Sequence, residues 1–350
     1  MSGVPLIDLA SARPPLFLGI DVGGTSIKLG VVDDLGQPVA RTQIPTEEAQ
    51  GPQAAVQRMR RAAETLLAAS GLSCGDLAAV GLCVPGTLDI SRGLFLQPHN
   101  LPHWHFFPIR DAVAEAFGLP VAFANDANAA ALGESWVGSG RQYHSIIMLT
   151  LGTGLGGGII IGDLSVDGEN SHGSECGHIL IDTSASARMC GCGQPGHLEA
   201  YCSATALVER VRSWLEQGQA SSLAARLAAG QPLTARLIAE EAAAGDGLAL
   251  DAILELAKWL GLGIVSLVHT IDPGAVILGG AMNFGGHEQP LGRRFLEHVR
   301  SVVRQRVFPL LAQRTVIDFA SLGGDAGFIG AAGLARQLHQ KSPQTPQRLR

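Results

Sequence analysis

Two stretches of this chain share one pattern. Residues 16–33 read LFLGIDVGGTSIKLGVVD and residues 145–163 read SIIMLTLGTGLGGGIIIGD: an apolar run, a cluster of glycines, then a second apolar run. The runs after the glycines carry β-branched residues, Ile27 with Val31 and Val32 in the first, Ile159, Ile160 and Ile161 in the second, so each glycine turn leads into a strand and not a helix. Gly152-x-Gly154-x-x-Gly157 therefore fails as a dinucleotide fingerprint, which must open a helix, and no Gly-Lys-Ser/Thr follows to make a Walker loop. Each strand–turn–strand unit opens a mixed α/β region. Two related α/β domains are predicted in preference to one long sheet.

Length agrees, since 350 residues exceed a typical single domain and suit two. The pattern predicts helices at 51–70, 109–117, 127–137, 288–305 and 326–338, a mostly helical stretch at 204–268, and strands at 78–84, 121–124, 275–278 and 315–319. Residues 1–15 read as a flexible leader and 339–350 as a disordered tail. A net charge of -6 without a basic run argues against nucleic acid as a partner. The most apolar long segment, 253–271, is broken by Glu255, Lys258 and His269, so a buried helix is expected there, with no membrane span and no secretory signal. Six unevenly spaced cysteines do not form a disulfide framework, and a reducing, cytoplasmic setting is expected.

The 45 glycines are roughly twice ordinary usage, and their clusters suggest tight turns or loops that approach a ligand closely. Five glycines within GTGLGGG exceed the need of a hairpin turn, and Thr153 adds a hydroxyl donor, so the tip is suited to cradle an anion with backbone N–H groups. The first unit pairs with it: Asp21 ends a strand just before Gly23, Gly24 and Thr25, where it can hold Mg²⁺ or its waters while the turn faces phosphate. Two such hairpins in one chain resemble the phosphate loops of the actin, Hsp70 and sugar-kinase superfamily, which binds ATP between two domains. AFANDANAAALGE puts Asn125 and Asp126 between a strand and a helix, where either could cap the helix or, at the ligand-binding edge of a sheet, accept a hydroxyl proton. Asn100 in NLPHW, Glu175 and His178 in SECGH, and Glu199 are further candidates for polyol hydroxyls.

MCGCGQPGHLEAYC holds Cys190, Cys192, His197 and Cys202. The Cys-x-Cys spacing fits neither a thioredoxin-like pair nor haem attachment. With His178 it supplies two cysteines and two histidines, a complete tetrahedral zinc set of structural type, with Cys202 a competitor for the place of His197. Cys74, Cys83 and Cys176 read as structural thiols.

DVGGTSIKLGVVD, VPGTLD, NLPHW, NDANAAALGE, LGTGLGGGIIIG, the Glu175–His178 segment and CGCGQPGHLEAY stand in the order seen in the ROK family of sugar kinases and repressors, and the resemblance runs from about Leu16 to Leu338. It implies an α/β, two-domain actin-like ATPase (ribonuclease H-like) fold with an interdomain active-site cleft. The N-terminal domain would comprise 16–137 plus 326–338, and the larger domain with the zinc motif 138–325. It implies ATP-dependent phosphorylation of a hexose, most like the bacterial ROK glucokinases. Fructose, mannose or an N-acetylated hexosamine is the alternative substrate, polyphosphate the alternative donor, and a non-catalytic sugar-responsive regulator the alternative role. Only about fifteen residues precede the first strand, against several dozen for a repressor's helix-turn-helix, which favours the enzyme branch. By this resemblance Asp126 is the catalytic base, and Asn100, Asn125, Asp126, Glu175, His178 and Glu199 contact the sugar. Asp21, Gly23, Gly24, Thr25 and Lys28 form the first phosphate loop and Gly152, Thr153 and Gly154 the second, with Gly279 and Gly280 near the adenosine. The family pattern agrees on His178, Cys190 and Cys192 as zinc ligands and usually has a cysteine where His197 stands. Members are often dimers or tetramers, so a homo-oligomer is expected.

Overall fold

The computed structural model describes residues 3–96 and 101–341. In chain order the strands are β1 (Leu16–Val22), β2 (Ser26–Val32), β3 (Pro38–Pro45), β4 (Leu77–Val84), β5 (Leu88–Asp89), β6 (Leu94–Phe95), β7 (Val121–Asn125), β8 (Ser145–Leu151), β9 (Leu155–Ile161), β10 (Leu164–Ser165), β11 (Ala275–Gly280) and β12 (Val316–Phe319). The α-helices are α1 (Pro52–Ala69), α2 (Ile109–Phe117), α3 (Asp126–Trp136), α4 (Glu199–Cys202), α5 (Ala204–Glu216), α6 (Leu223–Ala228), α7 (Ala235–Ala243), α8 (Gly247–Ile271), α9 (Pro290–Arg304), α10 (Pro309–Arg314) and α11 (Ala326–Lys341). The chain divides into two compact units. Among the described residues the first comprises those up to Gln142, Gly158–Ser174 and residues 321–341; the second comprises Tyr143–Gly157 and Glu175–Ala320. Residues 138–142, 158–174 and 321–325, read from the sequence as part of the second domain, thus group with the first.

One sheet has the order β3-β2-β1-β4-β7. The β1–β2 and β2–β3 pairs are antiparallel, whereas β1, β4 and β7 run parallel. Strands of a parallel core are buried on both faces and read as continuous apolar runs, as LFLGIDV does. Helix α1 buries Ala55, Val56, Met59, Ala63 and Leu67, one stripe at helical spacing. Helix α11 lies close against the sheet because glycine lets it: a Cβ at Gly19 would stand 1.8 Å from the Phe328 carbonyl oxygen, and one at Gly81 1.7 Å from that of Ala331. The other sheet has the order β10-β9-β8-β11-β12, with β8, β11 and β12 parallel. Helix α8 carries the apolar 253–271 segment, and among the described residues no helix is long and apolar enough to cross a membrane.

The expected leader is not loose over its described part. The Val4 amide donates to Asp325 at 2.7 Å, the Ile7 amide to the Pro38 carbonyl at 3.0 Å, and Asp8 caps a 3₁₀ turn at Leu9–Ser11. Ile7 and Leu9 pack on the core, so apolar burial ties down a segment that lacks a periodic pattern. The tail beyond Lys341 and Asn100 both lie outside the described residues.

Candidate active site

In the first unit three parallel strands end on one edge. The register sets Asp21 beside Cys83, Cys83 beside Ala124, and Val84 beside Asn125, so Asp21, Asn125 and Asp126 gather at the carboxyl ends of β1 and β7. Ligands bind at that edge of an open α/β sheet. Asn125 is the N-cap of α3: its side-chain oxygen accepts from the Ala127 amide at 2.8 Å, and its amide donates to the Gly86 carbonyl at 3.3 Å. Asp126 opens the same helix and accepts from the Ala127 amide at 2.8 Å. Since Asn125 fills the cap, a carboxylate at the next position is not needed for capping.

Asp21 is packed against the start of α11, where a Cβ on Gly327 would come 2.4 Å from its carboxylate. The Cys83 thiol donates to it at 3.5 Å. Burial raises the Asp21 pKa, with the Lys28 charge and the Cys83 hydrogen bond pulling the other way. Burial, with the nearby Asp21 and Asp126 charges, raises the Cys83 thiol well above its ordinary range, so it stays a neutral donor. Lys28 pairs with Asp21 across β1–β2 and donates its ammonium to the Gly324 carbonyl at 2.6 Å. The Gly23-Gly24-Thr25 turn closes with the Gly23 amide on the Ser26 carbonyl at 2.9 Å. Thr46, which the sequence reading passed over, supports this turn from beneath. It is fully buried, its hydroxyl donates to the Gly23 carbonyl at 2.6 Å, and its amide donates to the Thr25 carbonyl at 3.0 Å. The residue lies just beyond β3 and belongs to no motif, so only the fold reveals it.

In the second unit, His178, Cys190, Cys192 and His197 present ligand atoms all within 4.8 Å of one another. His178 Nδ1 lies 3.3 Å from His197 Nδ1 and 3.8 Å from Cys190 Sγ, and Cys192 Sγ lies 3.2 Å from His197 Nδ1. Zinc bonds of about 2.3 Å to sulfur and 2.0–2.1 Å to nitrogen, at tetrahedral angles, require N···N edges of roughly 3.3 Å and S···N edges of roughly 3.6 Å. The four residues therefore fit a structural metal ion of that kind. Cys202 stands apart, fully buried, its thiol 3.7 Å from the Leu256 carbonyl. Backbone pairing supports the cluster: the Leu198 amide donates to the Ile179 carbonyl at 3.0 Å and the Ile181 amide to that of Gly196 at 2.9 Å. With Nδ1 turned to the cluster, His178 Nε2 is 3.8 Å from the exposed Glu175 carboxylate. Glu199, at the head of α4, has one oxygen on the Leu155 amide at 2.9 Å and the other 3.4 Å from Cys190 Sγ.

The second glycine turn closes with the Gly152 amide on the Gly154 carbonyl at 3.0 Å. Gly152 and Thr153 form one end of a largely apolar cavity of about 820 Å³, walled by Ala239 and Ala243 of α7 and by Met282 and Phe284. Gly279 and Gly280 end β11 in register with Thr150 and Leu151, just before the cavity residue Ala281. Gly280 has φ +89°, and a Cβ there would stand 2.2 Å from the Leu151 carbonyl, so this strand end admits only glycine.

Two α/β units, each opening on a strand–glycine turn–strand hairpin, constitute the actin-like ATPase fold. The chain belongs to the ROK family, whose model matches residues 17–338. It is 32% identical to a glucokinase of Halalkalibacterium halodurans over 92% of this chain and 95% of that one. It superposes with a TM-score of 0.74 on a ROK family glucokinase of Streptomyces griseus solved in complex with glucose and AMPPNP, 35% identical, over 92% of this chain and 100% of that one. It is also 28% identical to a putative xylose repressor of Caldicellulosiruptor, over 91% of this chain and 77% of the repressor.

Proposed function

We propose that this chain is an ATP-dependent hexose kinase that phosphorylates the 6-hydroxyl of glucose. The observation that carries the reading is Asp126, a carboxylate at the head of α3 on the same strand edge as Asp21, beside a cap already supplied by Asn125. Phosphoryl transfer to an alcohol needs a base for the hydroxyl proton, positioned phosphates and little other covalent help. In the proposed step the Asp126 carboxylate takes the proton as the sugar oxygen bonds to the γ-phosphorus. The bond to the bridging oxygen breaks, and ADP leaves with that electron pair. Asn125, Glu175, His178 and Glu199 are proposed sugar contacts, as is Asn100.

The Gly23–Thr25 and Gly152–Gly154 turns are proposed phosphate loops, with the apolar cavity beyond Thr153 taking the adenine and ribose. Asp21 would hold Mg²⁺ or its waters, a hard cation suited to a carboxylate and phosphates. The ion would neutralise charge on the transferring group. His178, Cys190, Cys192 and His197 would hold zinc, all four places filled by protein, so its part is structural. Glucose as substrate is supported by the glucokinase relatives. The xylose repressor likeness supports a second reading, a sugar-binding regulator without turnover. Sugar-dependent ADP release, measured over glucose, mannose, fructose, xylose and N-acetylated hexosamines with ATP or polyphosphate as donor, separates the two. Turnover highest with glucose and ATP is expected; sugar binding without turnover on any member of the panel rejects the kinase reading.

A further inference from the structure

We infer that Glu199 is a positioning residue for the second glycine turn, latching it to the His/Cys cluster, a role that rests on reading that turn as a nucleotide-phosphate loop. One of its oxygens accepts from the amide of Leu155, the residue that follows the turn, at 2.9 Å. The same oxygen lies 2.4 Å from where a Cβ on Gly154 would stand. Gly154 is not among the residues with positive φ, so its backbone would admit an L side chain; the carboxylate is what excludes one. The other oxygen is 3.4 Å from Cys190 Sγ, a member of the cluster. The residues just after Glu199 hold the turn as well: the Ala204 amide donates to the Gly152 carbonyl at 2.9 Å, and the Thr205 hydroxyl to that of Thr153 at 3.1 Å.

One short segment, residues 199–205, thus holds Gly152 and Thr153 of the turn and Leu155 just after it, and its head is tied to the cluster through His197, two residues earlier. A carboxylate kept only for a sugar hydroxyl would need neither contact. Glu199 acts on the nucleotide through the turn even when no sugar is bound, and disturbance of the cluster reaches the turn through the same side chain.

The test compares Glu199→Ala, Glu199→Gln, Gly154→Ala and the double variant Gly154→Ala/Glu199→Ala with the parent chain. AMPPNP affinity is measured without sugar, glucose affinity without nucleotide, and metal per chain and the unfolding midpoint on the same preparations. An amide left unpaired costs enough that Glu199→Ala should weaken AMPPNP at least about fivefold, while Glu199→Gln, keeping one acceptor, retains most of the affinity. Gly154→Ala alone should lower the midpoint, and in the Glu199→Ala background that penalty should vanish because the clash is gone. Two outcomes overturn the latch: Glu199→Ala that binds AMPPNP like the parent while losing glucose, or midpoint losses that simply add. Failure of the parent to bind AMPPNP would instead reject the nucleotide reading, and the midpoint comparison would still decide whether the carboxylate holds the turn.

Discussion

Thr46 has no catalytic chemistry of its own, yet its hydroxyl and amide hold both ends of the Gly23–Thr25 turn. Removing the hydroxyl at constant shape leaves the half-buried Gly23 carbonyl without that donor, and the loss of a typical hydrogen bond costs about 0.5–1.5 kcal/mol. Thr46→Val should therefore lower the unfolding midpoint and weaken AMPPNP binding severalfold with glucose affinity unchanged, and Thr46→Ser should restore both. Calorimetry on the three proteins checks this, and a Val variant that binds the analogue like the parent would remove Thr46 from the account. The glycines of this turn were legible because they stand together in the local sequence, between two apolar runs. Thr46 was not, because it meets the turn only after β2 and β3 have folded back. Lys28 shows the opposite difficulty. Its place beside Asp21 follows from the hairpin, but the Gly324 carbonyl that its ammonium meets lies 296 residues away along the chain.

Helix α8 shows how an end is fixed at the scale of an element. Asp246 caps it, accepting from the Ala249 amide at 2.8 Å, from the Ser222 amide at 2.6 Å and from the Ser221 and Ser222 hydroxyls, both at 2.9 Å. Burial works to raise this carboxyl, but the hydrogen bonds together hold it below its ordinary value. A depressed folded pKa means the stabilisation is fully present above the unfolded value of about 3.9 and fades as pH falls through the folded one. Asp246→Ala should cost about 1–2 kcal/mol at pH 7. In urea unfolding its gap from the parent should narrow below about pH 4; a gap constant with pH would show that the ionised cap contributes nothing. Elements with strong period were legible to the residue: α2 spans Ile109–Phe117 and β8 spans Ser145–Leu151, as read from the sequence. Strand β3, PVARTQIP, was not read as a strand, because prolines bound it and its second half is largely exposed. Helix α11 runs to Lys341, past the expected 338, since its HQK end continues a good helical stretch.

For the molecule as a whole, the sequence pattern declared two α/β units because the same hairpin is written twice, and that part of the fold was open to local reading. How residues 138–142, 158–174 and 321–325 distribute between the units was not, since only long-range packing assigns them. The His/Cys cluster was legible as a set because tight glycine turns force near neighbours to converge; the exclusion of Cys202 needed the helix that carries its side chain to Leu256. If zinc occupies the cluster, prolonged chelation at neutral pH should remove about one ion per chain, lower the unfolding midpoint and weaken glucose binding, and added zinc should reverse all three. Chelation that strips zinc without moving either property would make the metal incidental. The central claim is tested most directly by single-turnover transfer of the γ-phosphoryl group from ATP to glucose, comparing the parent with Asp126→Asn, glucose affinity being measured on the same proteins. The variant should bind glucose within a few-fold of the parent and transfer phosphate about 10²–10⁴-fold more slowly; transfer within about tenfold of the parent would contradict Asp126 as the base.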